Sequence, residues 1–405
     1  MNLKNAVLME RAGAATNPNA KILVCVSAGE ASGDAYAARL IQAIQDEWCE
    51  IPGLPALEFG GLAGTRTQKL GVNLIQNTSQ WGAMGITQAA RIFLRVLGSL
   101  LRAKRFLSGN PPGLFVPIDF GYANIKLARH AKKTGWKVLY FVPPGSWRRD
   151  RQGRDLPYVT DAIATPFDWS ERILKHAGCN VFWFGHPIKQ LIAEERQIVA
   201  NKCLRSETLL AILPGSRDHE LEANLPLIAK AIEGIDCPLE FVLAPSFNPA
   251  VFKQAWKRLS SREATFTIGQ AANVLLRARA AIVCSGTATL EAALCGCPMV
   301  VIYELPKILK AEMKIRYFQR PKFISLPNIM LDRKAVPEYV EMNGIPPEVV
   351  RQQLQLLLPD GEAREAQLEA FEELDQLLGP DDAIDRTARL AMSMLREIAS
   401  GTHVH

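Results

Sequence analysis

No run of about 18 or more apolar residues, the length a helix needs to cross a bilayer, occurs in this 405-residue chain. Any membrane contact is therefore expected to be peripheral. The first twenty residues carry no continuous apolar core of the kind a secretory leader needs, so a cytoplasmic protein is expected. A G-x-G-x-x-G fingerprint is missing from the first strand-to-helix turn, which disfavours NAD or FAD. Cys295-Gly-Cys297 has no second Cys or His pair at zinc spacing. Cys25, Cys284, Cys295 and Cys297 sit in apolar or small-residue contexts, the setting of reduced, buried thiols. Neither a metal nor a cofactor is expected. Acidic residues are absent from 91–105, which holds five basic ones, and only Asp150 stands against nine basic residues in 126–154. That excess, within a net charge of +6, favours anionic partners: nucleic acid, phospholipid headgroups or a phosphorylated metabolite.

What is present is ample core material. Apolar residues make up 48% and charged residues 22%, the proportions of a globular chain. The length exceeds what one core usually supports, so two domains of roughly 150 to 200 residues are expected. Residues 1–20 read as an irregular lead-in. Residues 21–26 form a β-branched apolar run that stops at small polar residues, a buried parallel strand, and 35–48 follows with helical spacing. Apolar runs at 114–118, 138–142, 162–164 and 181–184 continue the alternation. A second series restarts at 209–213 and runs through 239–244, 264–268, 280–284 and 299–303. Two such series predict two Rossmann-like α/β domains, 21–190 and 205–345, facing a cleft. Pro and Gly terminators divide 346–400 into at least three helices.

Three loops carry candidate chemistry. Ser27, Gly29, Glu30, Ser32, Gly33 and Asp34 lie in a small-residue stretch at the crevice end of the first strand. Either this is only a tight turn or it admits a ligand, and Glu30 and Asp34 suit sugar hydroxyls better than phosphate. In the second series, residues 213–217 occupy the equivalent place. Gly215 and Ser216 offer backbone donors there and Arg217 a planar fork for phosphate oxygens, unless it serves only as an ion-pair partner. Ser285, Gly286, Thr287 and Thr289 crowd a helix N-terminus, an anion seat, with Glu291 about one turn inside.

Asp119 follows the strand at 114–118, where a carboxylate either deprotonates an acceptor hydroxyl or merely caps the next helix. With an ordinary pKa of about 3.9 it would be ionised at pH 7 and act chiefly by its position. His186, near the domain boundary, is the other candidate base. Residues 84–106 place Phe93, Val96, Leu97, Leu100 and Leu101 on one helical side and Arg91, Arg95, Arg102 and Arg105 on the other. Such a helix lies on an anionic membrane or covers the sheet with solvated arginines. Neither a recognition helix nor an interleaved aromatic platform supports nucleic-acid binding.

Together these motifs resemble the lipid-A-disaccharide synthase family. The matches are SAGEASGD at 27–34, GG at 60–61, MG at 84–85, Asp119 with Asn124, PF at 166–167, GHP at 185–187, LPGSR at 213–217, SGTATLE at 285–291, SLPN at 325–328 and PE at 337–338. The resemblance implies a GT-B type fold and an inverting, metal-independent glycosyltransferase. UDP-2,3-diacylglucosamine would be its donor and lipid X its acceptor, with a β-1,6 disaccharide as product. It implies Asp119 as general base. Arg217, the 285–291 loop and Asn328 would lie near the nucleotide, and Glu341 would stand where the family has a glutamine. It also implies a homodimer through the C-terminal part and a place on the cytoplasmic face of the inner membrane.

Departures cluster on the acceptor side. The family's D-x-P-D-F-N reads Asp119-Phe-Gly-Tyr-Ala-Asn124 here, so Tyr122 replaces an acid and Gly121 a proline. Residues 142–148 keep one tryptophan, Trp147, of the family's S-P-S-V-W-A-W stretch. A transfer to a different acceptor, or a nucleotide-sugar-binding protein without turnover, are the alternatives.

Overall fold

The computed structural model describes residues 21–78, 89–144, 154–200, 205–245, 247–304, 322–341 and 344–401. The first series runs β1 (Lys21–Ala28), α1 (Ala31–Trp48), β2 (Ala56–Ala63), α2 (Thr65–Gln68), β3 (Asn73–Asn77), α3 (Ala89–Gly109), β4 (Leu114–Ile118), α4 (Gly121–Lys133), β5 (Lys137–Phe141), α5 (Leu156–Val159), β6 (Ala162–Thr165), α6 (Asp168–His176) and β7 (Val181–Trp183). The second runs α7 (Pro187–Ala200), β8 (Leu210–Leu213), α8 (Asp218–Ala231), β9 (Leu239–Leu243), α9 (Pro249–Leu259), β10 (Thr265–Ile268), α10 (Ala271–Arg277), β11 (Ala280–Cys284), α11 (Thr287–Leu294), β12 (Met299–Ile302), α12 (Leu326–Leu331), β13 (Glu338–Tyr339), α13 (Pro347–Leu357), α14 (Glu362–Leu377) and α15 (Ala383–Ala399).

Every strand pairing is parallel. The strand order is β3-β2-β1-β4-β5-β6-β7 in the first sheet and β10-β9-β8-β11-β12-β13 in the second. All five residues of β4 and all five of β11 are buried, which is why both read as unbroken apolar runs rather than as alternation. The order reverses between β1 and β4 and again between β8 and β11. At such a reversal the two flanking loops part and leave a crevice at the strands' carboxyl ends.

Sequence periodicity missed β2, β3 and β13. β2 contains Gly60 and Gly61, weak strand formers, yet a Cβ on Gly61 would stand 1.9 Å from the Val26 carbonyl oxygen, so close pairing with β1 demands glycine there. β3 is polar and half-exposed, and β13 has only two residues. Helix α1 begins at Ala31, so the small-residue stretch is mostly strand end and first helical turn. Only Gly29 and Glu30 bridge the two.

Among the described residues, the first unit comprises 21–78, 94–185 and 382–401, and the second comprises 89–93 and 186–381. The C-terminal helices therefore do not stay together. α13 and α14 belong to the second unit, whereas α15 packs against α1 in the first. There it buries Ile384, Ala388, Ala391, Met392 and Leu395, and Arg39 pairs with Asp385 at 2.9 Å. The second unit's core centres on Phe241, whose ring meets Trp256 at 4.7 Å and Phe252 at 5.3 Å.

Helix α3 covers the described part of the basic amphipathic segment. Ser99, Ala103 and Leu107 are buried, while Leu97 and Leu101 are 43% and 49% exposed beside exposed Arg102 and Arg105. Of the expected apolar side, Val96 and Leu100 are half-buried and Leu97 and Leu101 are exposed. Arg102 donates to Gln76 Oε1 at 2.7 Å. Residues 84–88, and the side chains of Arg91, Phe93 and Arg95, lie outside the described residues. Among those described, no helix is long and apolar enough to cross a membrane.

Candidate active site

Asp119 stands at the end of β4, on the reversal beside β1. Asp119, Phe120 and Gly121 all have positive φ, 47°, 55° and 47°, a sparsely populated conformation for the first two that surrounding contacts must hold. Tyr140 Oη donates to the Asp119 carbonyl oxygen at 3.0 Å, and Asn124 Nδ2 donates to it at 3.0 Å. Asn124 Nδ2 also donates to the Ile118 and Ser27 carbonyls, and its Oδ1 accepts from Ser27 Oγ at 2.6 Å. Ser27 and Asn124, both buried, thus clamp β1 to the turn after β4 and present nothing to a ligand. Gly29 is required: a Cβ there would lie 1.8 Å from the Phe120 ring.

The clamp leaves the Asp119 carboxyl half-buried. Burial, together with the nearby Glu30 carboxylate, pushes it up to about 6, against the pull of a hydrogen bond from the Phe120 backbone. That departs from the ordinary value expected from sequence, and it raises the proton affinity of the group while leaving it mostly ionised at pH 7. Glu30 is exposed at the N-cap of α1. Ser32 and Gly33 lie in the first turn of α1. Asp34 is only 6% exposed and is engaged elsewhere. Its carboxylate accepts from the amides of Gly64, Arg66 and Thr67 at 2.8, 2.9 and 3.2 Å and from Thr67 Oγ1 at 2.6 Å, capping α2. It is a structural carboxylate rather than a sugar ligand.

His186 opens the second unit and is 7% exposed. Burial lowers its pKa to about 3, so it is neutral at physiological pH. Its Nδ1 accepts from the Ile188 amide at 3.2 Å at the start of α7, and its own amide donates to the Leu378 carbonyl at 2.9 Å. An imidazole that holds its proton so weakly and caps a helix is ill suited to be the base.

In the second unit, the loops after β8 and β11 flank the other reversal. Gly215, at φ 127°, lets the chain fold over Glu220, a buried residue of α8 that was not anticipated. Glu220 Oε2 accepts the Ser216 amide at 2.8 Å and the Arg217 amide at 3.2 Å, and Oε1 pairs with Arg217 Nη1 at 3.0 Å. Of the expected backbone donors, the Ser216 amide is therefore turned inward, and the Arg217 side chain, 41% exposed, remains for an anion. The available signal was a glutamate three residues past the N-cap Arg217, placed to accept the N-cap amide as the acidic half of a capping box does.

Across the reversal, Gly286 caps α11 at φ 151° and is exposed, with Thr287 half-exposed at the first helical position and Glu291 half-buried one turn on. Ser285 Oγ donates to the Ile324 carbonyl at 2.7 Å. Thr289, fully buried, donates to the Gly286 carbonyl at 2.8 Å and accepts the Leu326 amide at 3.2 Å. These two hydroxyls shape the loop. Asn328 is 0% exposed: Nδ2 donates to the Val336 carbonyl, and Oδ1 accepts from the amides of Ala335 and Val336 at 2.7 and 2.9 Å. Its amide braces 335–336. Glu341 is half-buried just past β13, two strands from β11. The nearby Glu338 is another unanticipated brace, accepting from the Ile324 and Ser325 amides at 3.0 and 2.9 Å.

Each unit thus sets charged groups at its own reversal, Asp119 with Glu30 in one and Arg217 with the α11 N-terminus in the other. Comparison with known proteins decides what such a pair of units belongs to. The family model described as lipid-A-disaccharide synthetase matches residues 24–388. The chain belongs to the lipid-A-disaccharide synthetase family. A lipid-A-disaccharide synthase of Acidobacterium capsulatum is 31% identical over 403 residues, covering 94% of this chain and 98% of that one. Among solved structures, a Methanocaldococcus jannaschii UDP-GlcNAc 2-epimerase in complex with UDP-GlcNAc and UDP is similar at TM-score 0.57 and 13% identity, covering 92% of this chain and 100% of that chain. MurG of Acinetobacter baumannii is similar at TM-score 0.53 and 15% identity, over 92% and 99%. These likenesses show the GT-B fold, and the family makes the synthetase a glycosyltransferase of lipid A biosynthesis.

Proposed function

We propose that this protein transfers 2,3-diacylglucosamine from UDP-2,3-diacylglucosamine to the 6-hydroxyl of lipid X, giving a β-1,6 disaccharide and UDP with inversion and without a metal. In this reading the second unit holds the donor diphosphate through Arg217 and the amide end of α11. Asp119 takes the acceptor hydroxyl's proton as that oxygen bonds the anomeric carbon, whose bond to the diphosphate oxygen breaks. The observation that carries the reading is the Asp119 carboxyl, raised to about 6 at the β1–β4 reversal, a value suited to a base that must be ionised near neutrality. The altered residues at 119–124 favour a second acceptor as the competing reading.

UDP release measured with the acylated donor and a panel of acylated and unacylated glucosamine phosphates tests both. Turnover confined to the diacylated 1-phosphate supports lipid X. Faster turnover with another acceptor replaces it.

The proposal includes two partners. Exposed Leu97 and Leu101 beside Arg102 and Arg105 support contact with the anionic cytoplasmic face of the inner membrane. Flotation with anionic but not neutral liposomes, lost in a Leu97→Ser, Leu101→Ser variant, is the expected result. For a homodimer through the C-terminal part, α13, α14 and α15 already bury apolar faces within one chain. Such a dimer exchanges these helices or uses their outer faces, and light scattering reads the mass.

A further inference from the structure

Glu220 is the buried acid nearest the proposed donor-binding arginine. It lies at the third helical position of α8, 4% exposed, and its two oxygens do different things. Oε2 gathers the amides of Ser216 and Arg217, which turns the 214–217 loop inward. Oε1 holds Arg217 Nη1 at 3.0 Å. The backbone is shaped for this carboxylate: Gly215 sits at φ 127°, and a Cβ there would lie 2.6 Å from Glu220 Cβ. Asn224, one turn further along α8, donates to the Pro214 carbonyl at 2.8 Å and fixes the loop from its other side.

A long, flexible arginine loses rotamer freedom when it binds an anion, and a planar fork tethered at one nitrogen has less to lose. We propose that Glu220 is a positioning residue for the donor, holding the Arg217 guanidinium at the β8–β11 reversal so that it meets the diphosphate already oriented. This rests on the reading of Arg217 as a diphosphate ligand. Glu220 does not itself touch the donor, since its carboxylate faces the loop's own amides and would repel a phosphate. A glutamine keeps the size but has one acceptor oxygen, so it serves either the two amides or the guanidinium and sets an N–H₂ group against the other donor set.

The test is a double-mutant cycle on the full chain, with UDP as the calorimetric probe and donor KM and kcat as kinetic readouts. Arg217→Ala is expected to weaken UDP binding roughly tenfold or more, the range of a charged hydrogen bond. Glu220→Gln is expected to weaken UDP and raise donor KM roughly tenfold, with kcat at saturating donor within threefold and acceptor KM unchanged. In the Arg217→Ala background, Glu220→Gln is expected to add less than twofold. Equal losses in both backgrounds, or a fall in kcat with donor KM unchanged, assign Glu220 to the fold alone and overturn the inference. Full UDP affinity in Glu220→Gln overturns it while leaving the Arg217 reading intact, whereas full affinity in Arg217→Ala removes both. Should Glu220→Gln not fold, Glu220→Asp, which keeps the charge but withdraws the carboxylate by one methylene, takes its place in the same cycle with the same outcomes.

Discussion

Asp119 joins three properties that a single side chain seldom combines: a positive-φ backbone, a fully braced carbonyl and a carboxyl raised to about 6. The first two fix where it points, and the third fixes what it can do. Asp119→Asn is expected to cut kcat by about 10² to 10⁴ while UDP affinity stays within twofold. The acid limb of kcat/KM is expected near pH 6 and should move down in Glu30→Gln, because removing a neighbouring negative charge eases ionisation. The folded value lies above the unfolded value of about 3.9, so the folded state binds this proton more tightly. Ionisation of Asp119 then costs stability, fully above about pH 6 and not at all below about pH 4. Asp119→Asn is accordingly expected to raise Tm at pH 7.5 and leave it unchanged at pH 3.5, read by calorimetry. A variant melting lower at pH 7.5 would remove this ionisation cost from the account.

At the scale of elements, β1, β4, β8 and β11 were legible because a strand buried on both faces reads as a bare apolar run. Their order in the sheets was not legible, and with it the two reversals beside which Asp119 and Arg217 stand, because strand order depends on long-range pairing that local pattern does not carry. The same gap explains Asp34, Asn124, Asn328 and His186. Each was a candidate site residue in the sequence, and each is a buried group satisfying backbone amides or carbonyls of a distant or neighbouring turn. Small polar residues near a crevice must first satisfy the irregular backbone that forms it. His186→Ala tests this for α7: losing the acceptor for the Ile188 amide is expected to cost about 1 kcal/mol of stability, the scale of an N-cap. kcat should remain within threefold of the parent. A dead but folded His186→Ala enzyme would move the base to His186 and away from Asp119.

For the whole molecule, the chain leaves the first unit at Gly185 and returns to it at Asp382, so its last helix completes a core begun by its first. No local signal announces this. α15 is an amphipathic helix after a Gly-Pro break, as fit to extend the second unit as to cross back, and the surface of the first unit selects it. The selection rests on apolar burial against α1 and against β1, β4 and β5, with Leu395, Ala388 and Ala391 fully buried, more than on charge. The Arg39–Asp385 pair is partly exposed, 24% and 31%, and such pairs contribute about 0 to 1 kcal/mol. Leu395→Ala should therefore destabilise by about 2 to 5 kcal/mol, the cost of a buried leucine cavity, whereas Asp385→Ala should cost under about 1 kcal/mol. Because Arg217, Glu220 and the α11 loop belong to the second unit, folded Leu395→Ala protein should bind UDP within twofold of the parent while denaturing at lower urea. An unchanged urea midpoint would show that α15 is dispensable to the first unit, and a tenfold loss of UDP affinity would show that donor binding depends on it.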